Sequence, residues 1–156
     1  MHYAINKEQT MHTRSTTRLA TVAATCTAAF TFMAGAATAA DLNVELTVKD
    51  TGGHPFMVSL YNSPADWLKK PFKTAKVNST GGTATAVFAD LPAGEYAVSA
   101  YYDANANGKM DTNFFKIPSE PTGISNNAVS SFGPPSYDQA KFMLPVANHK
   151  IMVNLR

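Results

Sequence analysis

Residues 42–48 read Leu-Asn-Val-Glu-Leu-Thr-Val, an unbroken alternation of apolar and polar side chains. Successive side chains of a β-strand point to opposite faces, so this alternation predicts a strand with one buried and one wet face. The segment Thr51-Gly52-Gly53 interrupts the pattern, which resumes at residues 56–60. We therefore predict that 42–48 and 56–60 pair as a β-hairpin.

The same pattern recurs along the rest of the chain. Further strands are predicted at residues 83–89, 95–102, 139–144 and 149–155. No stretch of ten or more residues has the apolar spacing of an amphipathic helix. Short strands separated by Gly, Pro and Asn turns favour an all-β fold, an antiparallel β-sandwich of the immunoglobulin-like or transthyretin-like kind.

Residues 1–39 have the composition of a secretory signal peptide. Basic residues precede an uncharged, largely apolar run at 19–37, and small residues then offer an Ala-x-Ala cleavage site after Ala39. The run is rich in threonine, which disfavours a transmembrane anchor. We predict that the segment is cleaved, that residues 40–156 form a single domain, and that the protein is periplasmic or secreted.

Removing the predicted signal peptide changes what the composition means. The 156 residues include 13 basic and 11 acidic side chains, a net charge of +2. The mature chain would keep ten of each and would lose Cys26, the one cysteine of the sequence. Balanced charge excludes an obvious nucleic-acid partner. Without cysteine, the mature domain has neither disulfides nor thiolate metal ligands.

Oxygen-bearing side chains follow the segment 95–102 at a regular spacing. They occupy the first, third, fifth and ninth positions of a loop whose sixth residue is glycine, and they are Asp103, Asn105, Asn107 and Asp111. Together with the backbone carbonyl of Lys109, they form an all-oxygen set of the kind that Ca²⁺ prefers. The spacing therefore predicts a calcium-binding loop at 103–111.

The predicted calcium loop has one gap and one alternative. Its twelfth position, where an EF-hand loop has a bidentate glutamate, is Phe114, so Glu120 or Asp138 would have to complete the ligand shell. The alternative is a metal-free turn through Asn107-Gly108, with Asp103 capping backbone amides.

A long irregular loop is predicted at residues 112–138, where no strand pattern is present. Loops of that length in a compact domain are usually functional or covering. One interpretation is a lid that buries its aromatic side chains on the sandwich. The other is a preformed, proline-stiffened binding surface, with the following contact residues: Ser125, Asn126, Asn127, Phe132 and Tyr137.

Five ordered motifs resemble domain-of-unknown-function family 2141, a set of secreted bacterial proteins. They are Leu91-Pro92-Ala93-Gly94-Glu95-Tyr96, Asp103-x-Asn105-x-Asn107-Gly108-x-x-Asp111, Ile117-Pro118-x-Glu120, Gly123-x-Ser125-Asn126-Asn127 and Phe132-Gly133-Pro134-Pro135-Ser136-Tyr137. The family usually has a histidine before the first Asp of the second motif, where this chain has Tyr102. The resemblance implies secretion and a β-sandwich, and it implies no established activity.

We expect a non-catalytic binding or structural module of the bacterial envelope, with an envelope protein, a glycan or a small molecule as its partner. The alternative is a small periplasmic hydrolase that uses Ser125 with a histidine, His54 or His149, as base. Gly123-Ile124-Ser125 is similar to a nucleophile elbow, but Asn127 stands where the second glycine belongs.

Overall fold

The computed structural model describes residues 39–156, and the predicted signal peptide lies outside this range except for Ala39. Within it, the chain forms eight strands, a 3₁₀ turn (Ser125–Asn127) and one short helix, α1 (Tyr137–Ala140). The strands are β1 (Ala39–Thr47), β2 (Pro55–Tyr61), β3 (Lys73–Asn78), β4 (Thr83–Pro92), β5 (Gly94–Tyr102), β6 (Thr122–Ile124), β7 (Phe142–Leu144) and β8 (His149–Asn154).

The strands form two sheets, which confirms the predicted all-β sandwich. One sheet has the order β4-β1-β8, and the other has the order β3-β2-β5-β6 with β7 also paired to β5. All pairs are antiparallel except β1 with β8, which are parallel. Backbone hydrogen bonds between Thr122 and Arg156, at 3.1 Å in both directions, join β6 to the residues that follow β8.

The core lies between the two sheets, as the alternation predicts. Leu42, Val44 and Leu46 of β1 are fully buried or nearly so, while Asn43 and Glu45 between them are partly exposed. The facing sheet contributes alternate residues of β2 and β5, including Phe56 and Tyr102. Burial of these apolar side chains is the main force that holds the two sheets together.

The predicted β1–β2 hairpin is wrong. β1 pairs with β4 and β8, whereas β2 pairs with β3 and β5 in the opposite sheet. The segment between them, residues 48–54, crosses from one sheet to the other. Alternation identifies which face of a strand is buried but not which strand lies beside it, and two facing strands of a sandwich show the same pattern.

The segment 112–138 is not wholly irregular. It contains β6, the 3₁₀ turn and the first two residues of α1. The predicted strand at 139–144 begins only at Phe142, because residues 137–140 are helical. The helix starts at a capping box, in which Ser136 Oγ accepts a hydrogen bond from the Gln139 amide and Gln139 Oε1 accepts one from the Ser136 amide.

A smaller apolar cluster covers the outer face of the five-stranded sheet. Tyr137 and Ala140 of α1 pack on Tyr61 and Ala97, with Trp67 beside them. The Trp67 indole N–H donates to the carbonyl of Pro135 at 2.8 Å. None of the helices in residues 39–156 is long and apolar enough to cross a membrane.

Candidate functional site

The loop 103–111 begins where β5 ends, and its first side chain is the most constrained. Asp103 is fully buried and continues the sheet, since its amide donates to the carbonyl of Pro55 at 2.9 Å. Its two carboxylate oxygens accept from the amides of Asn107, at 3.0 Å, and Gly108, at 2.8 Å. A buried carboxylate must have such partners, because desolvating it without them is costly. Asp103 thus closes the turn from inside.

The two asparagines continue this pattern along the loop. Asn105 Oδ1 accepts from the Asn107 amide at 3.1 Å, and Asn107 Oδ1 accepts from the Lys109 amide at 2.7 Å. Gly108 has φ of +77°, a conformation that favours glycine. These are the backbone contacts expected of Asx turns.

Glu120 closes the loop from its other side. Its Oε1 accepts from the amide of Ala104 at 3.0 Å and its Oε2 from the amide of Asp111 at 3.1 Å, so one carboxylate joins the two ends of the loop. Asp111 Oδ2 accepts from the side-chain amides of Asn105 and Asn107 at 2.6 and 3.0 Å. The structure therefore brings Asp103, Asp111 and Glu120 to one loop.

Asp138 lies apart from this loop. It belongs to α1, it is exposed, and its carboxylate pairs with Lys141 at 3.2 Å. The proposed role of Asp138 as a completing ligand is therefore not supported by its position. Glu120, the other residue named for that role, does reach the loop.

Oxygen atoms of the loop point mainly at backbone amides in this structure. Within residues 39–156, no group of three or more His, Cys, Asp or Glu side chains is placed to hold a metal ion. The loop nevertheless has a negative electrostatic character. The pKa of Tyr101 is raised, first by burial and then by the charges of Asp103, Glu120 and Asp111.

The side chain of Ser125 hydrogen-bonds to backbone atoms in the interior of the fold. It is fully buried, its Oγ accepts from the Val98 amide at 2.9 Å, and it lies 2.6 Å from the carbonyl of Ala140, to which it can donate. Val98 lies in β5 between the residues that pair with β6 and those that pair with β7. The hydroxyl group thus substitutes for a backbone partner where the ladder is interrupted.

Neither histidine forms a pair with Ser125. The ring of His54 packs edge-on against Tyr102, with 5.9 Å between centroids, and the ring of His149 stacks on Phe142 at 6.1 Å. The hydroxyl of Ser125 is directed to backbone atoms instead. The structure does not assemble the serine–histidine pair that the hydrolase alternative requires.

The neighbouring asparagines also bind backbone. Asn126 Nδ2 donates to the carbonyls of Gln139 and Lys141 at 3.2 and 2.9 Å. Asn127 Oδ1 accepts from the amide of Asn154 in β8 at 3.0 Å. Both asparagines have positive φ, of 59° and 49°, which asparagine tolerates better than most residues. Their side chains fasten the 3₁₀ turn to its surroundings.

The large apolar residues of 112–138 are mostly exposed, so the lid interpretation is wrong for its phenylalanines. Phe114 is 95% exposed, Phe115 77%, Ile117 57% and Phe132 94%. Of the predicted contact residues only Tyr137 is a buried aromatic, at 6%, with its hydroxyl 3.3 Å from the carbonyl of Glu95. A protein rarely exposes large apolar side chains together unless they contact something.

Three of these residues lie on a small hairpin, residues 111–119, which we call the aromatic hairpin. The Ser119 amide donates to the Asp111 carbonyl and the Asn113 amide to the Ile117 carbonyl, both at 2.9 Å. Asn113 Oδ1 also accepts from the amides of Phe115 and Ile117 at 2.9 and 3.1 Å. Sequence reasoning missed this hairpin, because its strands are too short to show alternation.

The fold and these loops define a small β-sandwich module whose irregular segments are held by side-chain-to-backbone hydrogen bonds. More specifically, the chain belongs to the family described as uncharacterized protein conserved in bacteria (DUF2141), whose model matches residues 43–152. This confirms the resemblance that the five motifs carry.

Comparison with solved structures gives a match to a pilus-presented adhesin, Spy0125 (Cpa), at 14% sequence identity and a TM-score of 0.36. The match covers 76% of this chain and 27% of that chain, so this chain spans about a quarter of the adhesin's length. A comparison with curated proteins gave no match.

Proposed function

We propose that the protein is an exported, non-catalytic binding module of the bacterial envelope, periplasmic or secreted. The observation that carries the proposal is the exposure of large apolar side chains on a preformed turn, with Phe114 at 95% and Phe115 at 77%. Such side chains cost free energy in water and are usual where a surface contacts a partner. Two observations support a location outside the cytoplasm. The chain belongs to a bacterial family, and a signal peptide is predicted at residues 1–39.

A fractionation experiment tests the location. The full chain, tagged at its C-terminus, is expressed in a bacterium, and periplasm, medium and cytoplasm are separated. We expect the tagged protein outside the cytoplasm with a new N-terminus at Ala40, which mass spectrometry would measure. Recovery of the uncleaved chain in the cytoplasm would contradict the proposal.

Retention on isolated envelope tests the binding function. We expect the protein to sediment with envelope and a Phe114→Ser, Phe115→Ser variant to remain in the supernatant. Three treatments of the envelope distinguish the possible partners. Protease removes an envelope protein, glycosidases remove a glycan, and dialysis removes a small molecule. Equal sedimentation of the wild type and the double variant would contradict the role of these residues.

We also propose that the loop 103–111 binds Ca²⁺ as a structural ion. Support comes from three carboxylates that hydrogen-bond to atoms of this one loop, those of Asp103, Asp111 and Glu120. Glu120 would supply the charge that Phe114 lacks at the twelfth position of the loop. Asn105 and Asn107 would have to turn their oxygens from backbone amides toward the ion.

Thermal unfolding after chelation tests the calcium proposal. At a dissociation constant of about 0.1 to 1 mM, adding about 1 mM Ca²⁺ should stabilise the fold by about 0.4 to 1.4 kcal/mol and raise Tm by a few degrees. Asp111→Asn should abolish the rise, because it removes one charge and leaves the backbone contacts of Asp103 and Glu120 in place. An unchanged wild-type melting curve would remove calcium from the proposal.

A further inference from the structure

We propose that the aromatic hairpin, residues 111–119, inserts Phe114, Phe115 and Ile117 into the surface of an anionic phospholipid membrane. The inference rests on the proposed binding function and names the partner of these side chains. It is carried by four features of the hairpin: its exposed apolar tip, its small contact area, the three bonded amides of its turn and the charge of Lys116.

The tip is apolar and projects into solvent. Phe114, Phe115 and Ile117 are 95%, 77% and 57% exposed, and the two phenylalanine rings pack edge-on at 5.5 Å between centroids. One turn with three large side chains presents far less than the roughly 800 Å² that each partner contributes to a specific protein interface. A membrane surface needs no matching patch, since a few side chains that reach about 5–10 Å into the boundary suffice.

Three backbone amides of the tip already have partners within the turn. The amides of Phe115 and Ile117 donate to Asn113 Oδ1, and the amide of Lys116 donates to the Asn113 carbonyl at 2.9 Å. Backbone groups that enter a bilayer must be satisfied internally, because no water is available there. The turn is also preformed, so insertion does not have to order it.

The charge at the tip itself favours anionic lipid. Lys116 is the one charged side chain among residues 113–117, and it takes part in none of the ion pairs found among residues 39–156. A lysine beside a membrane-inserted turn can extend its ammonium group to the lipid phosphates. The three carboxylates of Asp103, Asp111 and Glu120 lie away from the tip, at the base of the hairpin and in the preceding loop, where they accept hydrogen bonds from loop amides.

Phe132 provides a matched control within the same chain. It is as exposed as Phe114, at 94%, but residues 128–136 carry no charged side chain. It also lies near the other end of β5. The carbonyl of Pro135, near Phe132, accepts from Trp67, and the hydroxyl of Tyr137 lies against the carbonyl of Glu95, at the start of β5. The aromatic hairpin instead follows the end of β5. The two phenylalanines therefore cannot both lead insertion of one end of the sandwich.

Vesicle binding tests the proposal with the full chain. The probe is vesicles of phosphatidylethanolamine and phosphatidylglycerol, and every variant carries the same N-terminal segment, so only differences between variants count. Phe114→Ser with Phe115→Ser should weaken binding by at least about 10-fold, from the free energy of burying aromatic side chains. Lys116→Ala should weaken it by about 5-fold. Phe132→Ser should leave it unchanged.

A fluorescence measurement locates the residues that insert. Phe115→Trp should show a blue-shifted emission on vesicles and quenching by brominated phospholipid, after the signal of Trp67 in the wild type is subtracted. Phe132→Trp should show neither. Absence of both effects for Phe115→Trp, or equal effects at the two positions, would overturn the proposal.

Comparison with envelope retention separates the two proposals. If the Phe114, Phe115 double variant binds vesicles as well as the wild type but is lost from isolated envelope, the lipid inference is wrong and the binding module stands. If it is retained in both assays, the hairpin is not a binding surface at all. Loss from both vesicles and protease-treated envelope is the expected result.

Discussion

Replacing Ser125 with alanine should destabilise the fold because the hydroxyl group completes two buried hydrogen bonds. Its Oγ accepts from the Val98 amide at 2.9 Å and lies 2.6 Å from the carbonyl of Ala140, and all three residues are fully buried. Alanine keeps the β-carbon and removes only the oxygen. The amide and the carbonyl would then lack partners in the place where β5 changes from β6 to β7.

The expected loss follows from these two groups. An unsatisfied buried donor or acceptor costs about 1–3 kcal/mol, so the loss of both partners in Ser125→Ala should lower the free energy of unfolding by about 2–6 kcal/mol in total. At a urea m-value of about 2 kcal/mol/M, the midpoint should fall by about 1–3 M with no change in m. A catalytic nucleophile would give a different result, since its removal abolishes activity without a required loss of stability.

Urea unfolding followed by tryptophan fluorescence suits this test. Trp67, the one tryptophan of the sequence, packs against Tyr61 and Tyr137 at 4.9 and 5.9 Å between ring centroids, close to the segment that Ser125 holds. Ser131→Ala, at an exposed position, is the control and should change stability by less than about 0.5 kcal/mol. A Ser125→Ala variant as stable as this control would refute the structural role.

Three further predictions concern other contacts. Gly123→Ala should cost about 1–3 kcal/mol in thermal or urea unfolding, because an added β-carbon would lie 2.7 Å from Val153 Cγ1; an unaffected Tm would contradict this contact. Glu120→Gln should lower the free energy of unfolding by about 1–3 kcal/mol and speed hydrogen exchange at the Asp111 amide, because a glutamine side chain has only one acceptor oxygen. Unchanged exchange at that amide would contradict the role of Glu120 in joining the two ends of the loop. The pKa of Tyr137 is raised above 10.0, chiefly by burial, so its ionisation favours the unfolded chain. The stability that this group contributes is present below pH 10 and is lost as pH rises through its folded pKa, and Tyr137→Phe should flatten the decline measured by urea unfolding.

Alternation was a reliable guide to strands that line the core. β1, β2, β4, β5 and β8 each have the two-residue period, because one of their faces is buried against the other sheet. β3 was not predicted. Its residues, Lys73–Asn78, alternate only between partly buried and exposed, and it lies at the edge of its sheet. Two of its six residues are lysines, so the sequence of this strand shows no clear apolar face.

The candidate site was predictable only where contacts are local. The oxygen spacing of 103–111 identified a loop that the structure holds through Asp103, Asn105 and Asn107. Whether it binds calcium remains a prediction. The role of Ser125 depends on a break in the pairing of β5, which no local pattern reveals. Exposure of Phe114 was also unpredictable, since apolar composition alone argues for burial.

The parallel pairing of β1 with β8 has a consequence for how the chain reaches its native state. Leu42 pairs with His149, and Leu46 with Val153. β1, the central strand of the smaller sheet, therefore pairs with residues that lie more than a hundred positions later in the chain. Contacts between such distant segments are slow to form, because closing the long loop between them costs conformational entropy before any stabilising contact is made. During synthesis the smaller sheet therefore cannot be completed until residues 149–154 are available. Until then the edge of β1 that pairs with β8 has no strand beside it, and its backbone groups on that side must be hydrogen-bonded to water.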